Sequence, residues 1–236
     1  MNINCLGSGS TGNSYIINQE GITYLLDAGV DFRKIKANIN LNNLNFAYIS
    51  HEHKDHSLDL ENLELRGVKT YYGKLIDNFT KMPTKGLKYD EIELYAFPIE
   101  HNYKDDICKN AGLIVKTETE CLLYATDFSV CKYNLKKFNF TTIMVECNFE
   151  EEKMRKAPKT YKYERQRWSH MGFDGLVTFI DKAINIEPVQ NIILIHLSTE
   201  ERLIDREIVM MKAKAKWRNK KIGICRQYGG IDWNGG

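Results

Sequence analysis

The sequence predicts an α/β fold, its sheets covered by helices, in a single domain over residues 1–236. Short apolar runs rich in β-branched and aromatic residues recur along the chain, as strands do. Longer stretches with helical spacing stand among and after them. No repeat, low-complexity tract or Pro/Gly-rich linker breaks the chain, which holds only four prolines.

The first strands are expected at 14–18 and 22–27, around Tyr15-Ile16-Ile17 and Ile22-Thr23-Tyr24-Leu25-Leu26. Further runs follow at 46–50, 69–72, 92–98, 112–117, 121–126, 141–146 and 191–196. Helical patterns fall at 31–39, 58–66, 173–186 and 203–217. The N-terminal half therefore reads as strands and hairpins, and the C-terminal half alternates strands with helices.

Hydrophobic residues at 43% and charged residues at 27% exclude a fibrous or wholly disordered chain. The net charge of +2 gives no global electrostatic case for nucleic acid or an anionic membrane. No apolar run reaches the roughly 20 residues of a membrane span. Met1-Asn2-Ile3-Asn4-Cys5-Leu6 lacks the basic-then-apolar pattern of a signal peptide. A cytoplasmic protein without a membrane partner is expected. The six cysteines form no C-x-x-C pair, so buried free thiols are expected. Basic residues cluster at 153–167 and at 212–221, where solvated faces are the default. The first cluster runs into His170, which makes Arg165 and Arg167 candidates for holding a phosphate.

The histidines carry the chemical signal. His51, His53 and His56 stand with Asp55 in an H-x-H-x-D-H string directly after an apolar run. On a helix, residues two apart point about 200° from one another, so His51 and His53 would diverge. At a strand end opening into a turn, all four side chains can converge, and imidazole with carboxylate suits zinc and related metals. His101, His196 and Asp127 each follow an expected strand as well. The string from Gly7 to Ser14 lacks the Gly-Lys-Ser/Thr of a phosphate-binding loop. It reads as a tight turn, with Ser10 and Asn13 as candidate substrate contacts.

This order of motifs resembles the metallo-β-lactamase superfamily, from Leu6-Gly7-Ser8-Gly9-Ser10 through Leu25-Leu26-Asp27 to His196-Leu197-Ser198. The resemblance implies an αββα sandwich and two zinc ions per chain, with manganese as an alternative. It implies His51, His53 and His101 on one metal, Asp55, His56 and His196 on the other, and Asp127 between them. Asp27 would orient those ligands from behind. Flavodiiron relatives place Glu where His53 stands, and many β-lactamases place Cys where Asp127 stands, so redox chemistry and antibiotic hydrolysis are disfavoured. Val145-Glu146-Cys147-Asn148-Phe149 and Ser169-His170-Met171-Gly172 resemble two segments of RNase Z-like phosphodiesterases. There, Glu orients a His that protonates the leaving oxygen, which implies a catalytic set of Asp55, Glu146 and His170. Gly172 replaces the usual Ser/Thr.

The overall pattern is similar to phage anti-Pycsar phosphodiesterases and to YycJ-like proteins. This implies hydrolysis of small 3′,5′-cyclic mononucleotides, with the host cytoplasm as location and a homodimer as assembly. A nuclease acting on RNA or DNA, and a protein that sequesters a nucleotide without cleaving it, are the alternatives.

Overall fold

Thirteen strands and seven α-helices form among the residues that the structure, a computed structural model, describes: 1–72, 82, 85–103 and 106–233. One sheet is built from β1 (Asn2–Gly7), β2 (Ser14–Gln19), β3 (Ile22–Leu26), β4 (Phe46–Ile49) and β5 (Thr70–Tyr72), side by side in chain order. Between its strands lie α1 (Phe32–Asn38), α2 (Lys54–Ser57) and α3 (Leu60–Glu64). The second sheet begins with β6 (Leu87–Tyr89), β7 (Ile92–Tyr103), β8 (Asp106–Lys116), β9 (Cys121–Ala125) and β10 (Thr142–Glu146). After α4 (Glu151–Lys156), α5 (Tyr161–Ser169) and α6 (Phe173–Ala183) it continues with β11 (Asn191–Ile195). Helix α7 (Arg206–Lys216), β12 (Lys221–Cys225) and β13 (Ile231–Trp233) complete it, in the order β13-β12-β11-β10-β9-β8-β7-β6.

Strands β9 to β12 run parallel, and each buries both faces, which is why their sequences read as continuous apolar runs. In β10, Met144 faces the other sheet while Ile143 and Val145 face the helices. Tyr15, Tyr24, Phe46 and Tyr48 meet Leu113, Tyr124, Met144 and Ile193 to form the core between the sheets. Leu176 and Ile180 of α6 and Val209 of α7 cover the outer face of the second sheet, and Ile35 and Leu63 cover that of the first. Burying a Leu, Ile or Phe stabilises by about 1.5–3 kcal/mol, so these three layers of contact hold the sandwich together. The result is helix, sheet, sheet, helix, as expected.

Most expected strands form within two residues of their bounds. The hairpin β7–β8 is much longer than expected, so His101 lies within β7, paired with Cys108, and does not follow a strand. Polar residues such as Glu100, Asn102 and Lys109 mask the strand pattern there. Strands β1, β6, β12 and β13 and the single turn α2 are additional, as are α4 and α5, whose charged sequences show no apolar stripe. The 58–66 pattern shortens to α3, and the last helix starts at Arg206 because Asp205 accepts from the amides of Glu207 and Ile208. All six cysteines are free and five are buried.

Candidate metal centre

The parallel strands end on one edge of the sandwich, and the chemistry-bearing residues follow those ends. Asp27 follows β3, the 51–56 string follows β4, Asp127 follows β9, Glu146 closes β10 and His196 follows β11. Asp27, Asp127 and His196 adopt left-handed backbone, with φ of 57°, 51° and 51°. Such angles cost about 1–3 kcal/mol outside glycine and persist where surrounding contacts enforce them. Here each turns the chain sharply off a strand so that its side chain enters the cluster.

Three groups of donors converge among the described residues: the two expected ligand sets, and a third of Asp127, Glu146, His170 and His196. His51, His53, His101 and Asp127 bring one ligand atom each within 4.8 Å of one another, and so do Asp55, His56, Asp127 and His196. Asp127 belongs to both. Its Oδ2 lies 3.9 Å from His51 Nε2 and 3.7 Å from His101 Nε2, while Oδ1 lies 3.2 Å from His56 Nε2 and 3.3 Å from His196 Nε2. Within the string, Asp55 and His56 sit on the single turn of α2, and His51 and His53 stand in the bend before it, with His53 at the helix start.

The side chains behind these donors fix which imidazole nitrogen faces inward. Asp27 is buried and accepts from His56 Nδ1 (2.6 Å), Ser50 N (2.7 Å), Ser50 Oγ (3.0 Å) and Tyr124 Oη (2.5 Å). Because an ionised carboxylate only accepts, His56 carries its proton on Nδ1 and presents Nε2. Ser50 Oγ accepts from His51 Nδ1 (3.0 Å), and the Ser169 carbonyl accepts from His101 Nδ1 (2.8 Å). Partners of this kind set the ring orientation and basicity of a metal-binding histidine. His196 Nε2 is buried and makes no hydrogen bond of good geometry, although it faces Asp127 Oδ1 at 3.3 Å and Asp55 Oδ2 at 3.6 Å. A buried nitrogen without a well-formed hydrogen bond among carboxylates and imidazoles, beside His51 Nε2 facing His53 Nδ1 at 3.0 Å, is the arrangement cations would complete. The donor set fits two divalent ions of the zinc kind.

Charges among the protein groups alone are strongly perturbed. Burial pushes the His51 imidazole well below its usual range and takes His101 down to about 4. Burial acts the same way on His196, but Asp127, Asp55 and Glu146 outweigh it and lift this imidazole to about 10. At Asp127, burial favours the neutral acid, yet His196 and His56 hold the carboxyl well below its ordinary value.

Glu146 and His170 stand against the second group. Glu146 is fully buried, and its Oε1 accepts from His170 Nδ1 (2.6 Å) and from His196 Nδ1 (3.1 Å). Its Oε2 accepts from the amides of Phe128 (2.9 Å) and Met171 (3.3 Å). One carboxylate thus ties the His170 segment, the His196 side chain and the Asp127 turn together. His170, 15% exposed at its side chain, stacks on the His196 ring at 5.3 Å with planes 5° apart. Gly172 belongs to the packing: a Cβ there would lie 2.5 Å from Glu151 Oε1, whose carboxylate accepts from Asp174 N and Gly175 N at the start of α6.

A cleft of about 390 Å³ opens beside His170 and His196, lined by Ser10 and by Arg165 of α5. Two of the expected substrate contacts are engaged within the protein itself. Asn13 is buried in its loop: Oδ1 accepts from Gly9 N (2.8 Å), and Nδ2 donates to the carbonyls of Gly9 (3.0 Å) and Asp55 (3.2 Å). Arg167 turns away to donate to the Met154 carbonyl at 2.9 Å. The glycines make these approaches possible: at Gly29, a Cβ would lie 1.7 Å from the Asp55 carbonyl. The sequence reading missed Asn148, whose Nδ2 donates to the His196 carbonyl (2.9 Å) and whose Oδ1 accepts from Gln166 (2.6 Å). Its place two residues after Glu146 was the available signal.

No family model and no curated protein matches the chain in sequence. Solved structures do match it along nearly its whole length. It resembles the metallo-β-lactamase fold protein YhfI from Bacillus subtilis, with a TM-score of 0.69, 15% identity and 98% of both chains covered. The short form of human tRNase Z matches with a TM-score of 0.64, 13% identity and 98% of both chains. A diphosphatase from the PhnP family matches at 0.60 and 12% identity, over 98% of this chain and 96% of that one. The fold of this chain is the metallo-β-lactamase fold. No helix among the described residues is long and apolar enough to cross a membrane.

Proposed function

We propose that this protein is a binuclear metal-dependent phosphodiesterase that opens 3′,5′-cyclic mononucleotides to linear monophosphates. The observation that carries the reading is the Glu146–His170 pair, bonded at 2.6 Å beside two donor groups that share Asp127. Similarity in fold to a tRNase Z and a diphosphatase, both named for acting on phosphate esters or anhydrides, supports the same class of chemistry.

In this reading His51, His53 and His101 hold one cation, Asp55, His56 and His196 the other, and Asp127 serves both. Two bound divalent cations supply charge that polarises the phosphate and acidifies an attacking water. Asp127 and Asp55 offset that charge and fix the spacing of the donors. Glu146 accepts the Nδ1 proton of His170, which leaves Nε2 to exchange a proton with the departing ribose oxygen. That oxygen is a poor leaving group as an alkoxide, so the proton is needed. Asp27 and Ser50 keep the His56 and His51 rings aimed inward throughout.

A cleft of about 390 Å³ suits a nucleotide and lies near the lower end of the usual range for ligand pockets. The near-neutral net charge also argues against a long polyanion. The homodimer, the cytoplasmic location and a phage role in countering host cyclic-nucleotide defence belong to the same proposal, on the resemblance in sequence pattern. A cleavage panel of cyclic mononucleotides, cyclic dinucleotides, RNA and DNA with metal-loaded protein tests it. Turnover of cyclic mononucleotides, only mildly reduced from low to physiological salt, is expected. Processive RNA or DNA degradation that collapses as salt rises, with cyclic mononucleotides untouched, would replace it with a nuclease.

A further inference from the structure

Gln166 lies one turn before His170 at the end of α5, where the His170 amide donates to the Gln166 carbonyl (3.1 Å). Both residues line the cleft, together with His196. The Gln166 side chain is half-buried, and its amide has a donor end and an acceptor end. The surrounding hydrogen bonds decide which end is which. Asn148 is the link. It is buried, and its backbone is held on both sides: its N–H donates to the Met171 carbonyl (2.7 Å), and its carbonyl accepts from Ser198 N (3.0 Å). The His196 carbonyl only accepts, so the Asn148 end that faces it is the donor Nδ2 (2.9 Å), and Oδ1 turns to Gln166. Oδ1 in turn only accepts, so Gln166 presents Nε2 to it (2.6 Å). Gln166 Oε1 is left as the free end, and it accepts no hydrogen bond among the described residues. The carboxylate of Glu200, also on the lining, is taken by Lys162 and by Tyr163 Oη (2.7 Å). An acceptor therefore remains on the cleft wall, one helix turn from His170.

We propose that Gln166 is a specificity-determining residue whose Oε1 accepts from the ribose 2′-hydroxyl of the substrate. This deepens the phosphodiesterase reading and rests on it: the substrate class becomes ribonucleotides, with 2′-deoxyribonucleotides disfavoured. An ionised phosphodiester offers the cleft only acceptors, whereas the 2′-hydroxyl offers a donor. In a 3′,5′-cyclic nucleotide that hydroxyl sits on the carbon next to the one bearing the 3′ oxygen. With the 3′ oxygen departing beside His170, the 2′-hydroxyl enters the cleft on the side where Gln166 stands. Amino groups of the base also donate, but they lie at the far end of the nucleoside from the phosphate. A side chain that hydrogen-bonds a substrate hydroxyl discriminates against the analogue that lacks it.

The test compares ribose and 2′-deoxyribose substrates. Zinc-loaded wild type and Gln166→Met, which keeps the length of the side chain and removes the acceptor, are assayed on 3′,5′-cyclic CMP and AMP and on their 2′-deoxy analogues. Binding of the linear products CMP and AMP and their 2′-deoxy analogues is measured in parallel by calorimetry. Wild type should favour the ribose form by roughly 3- to 10-fold in kcat/KM and in affinity, the yield of one neutral hydrogen bond. In Gln166→Met that ratio should fall to about one for both bases. A merely structural effect through Asn148 would lower both forms by the same factor and leave the ratio intact, which would overturn the proposal. Equal use of ribose and 2′-deoxyribose substrates by wild type would overturn it too, with the phosphodiesterase reading left standing. A ribose preference in binding that Gln166→Met abolishes, without turnover of any cyclic nucleotide, would do the reverse.

Discussion

Glu146 accepts from two histidines with one oxygen, and this makes the Glu146→Gln variant informative in two separable ways. An amide at this position keeps the volume but removes the charge, and one of its two ends becomes a donor facing an N–H. Each hydrogen bond to a charged group contributes about 1.5–3 kcal/mol. Losing the one to His170 should therefore lower kcat by roughly 10- to 150-fold through a misaligned proton donor. Losing the one to His196 acts on the metal instead, at roughly 10- to 100-fold in affinity. His170→Ala removes a member of the third donor group but none of the two ligand sets assigned in the proposed function, so it should lower kcat by about 10²–10⁴ and keep both metals. The assay is kcat against added metal for wild type, His170→Ala, Glu146→Gln and the double variant, with an alkyl and a nitrophenyl leaving group. Added metal should restore part of the Glu146→Gln loss and none of the His170→Ala loss. At saturating metal the double variant should fall close to His170→Ala, because the two residues act as a unit there. On the nitrophenyl substrate, which needs little acid, His170→Ala should lose far less. Multiplicative losses at saturating metal, or an equal His170→Ala loss on both leaving groups, would refute the shared role.

The other expectations concern residues behind and beside the site. Asp27→Asn leaves its four donors with a mismatched acceptor; it should weaken metal binding by roughly 10- to 100-fold in a metal titration and lower thermal stability measurably. Arg167→Ala should leave KM unchanged in steady-state kinetics, because its guanidinium serves the Met154 carbonyl, whereas neutralising Arg165 should raise KM.

The donor clusters were legible in the sequence because their chemistry is compressed. Four ligands fall within six residues, and Asp127 and His196 follow apolar β-strands whose ends any reader can place, whereas His101 lies inside a strand. The central parallel strands were legible for the same reason: both faces are buried, so nothing polar interrupts them. Helix α5 was not, since Tyr161 to Ser169 carries polar residues on nearly every side and packs few of them. Nor was the fate of Asn13 and Arg167, which looked alike as polar residues near the motifs. Their roles depend on where the Asp55 and Met154 carbonyls arrive from distant parts of the chain. The second hydrogen bond of Glu146, to His196, joins residues 50 positions apart and leaves no local trace.

In the proposed function Asp127, shared by both ligand sets, would join two divalent ions into one site. Elemental analysis of the purified protein, wild type beside Asp127→Ala, tests it most directly, with folding of both checked by circular dichroism. Wild type should carry two divalent ions per chain, matching its two donor groups, and Asp127→Ala should lose metal and hydrolysis while keeping its fold. Active wild type with only trace metal, or Asp127→Ala that retains both ions, would contradict the account.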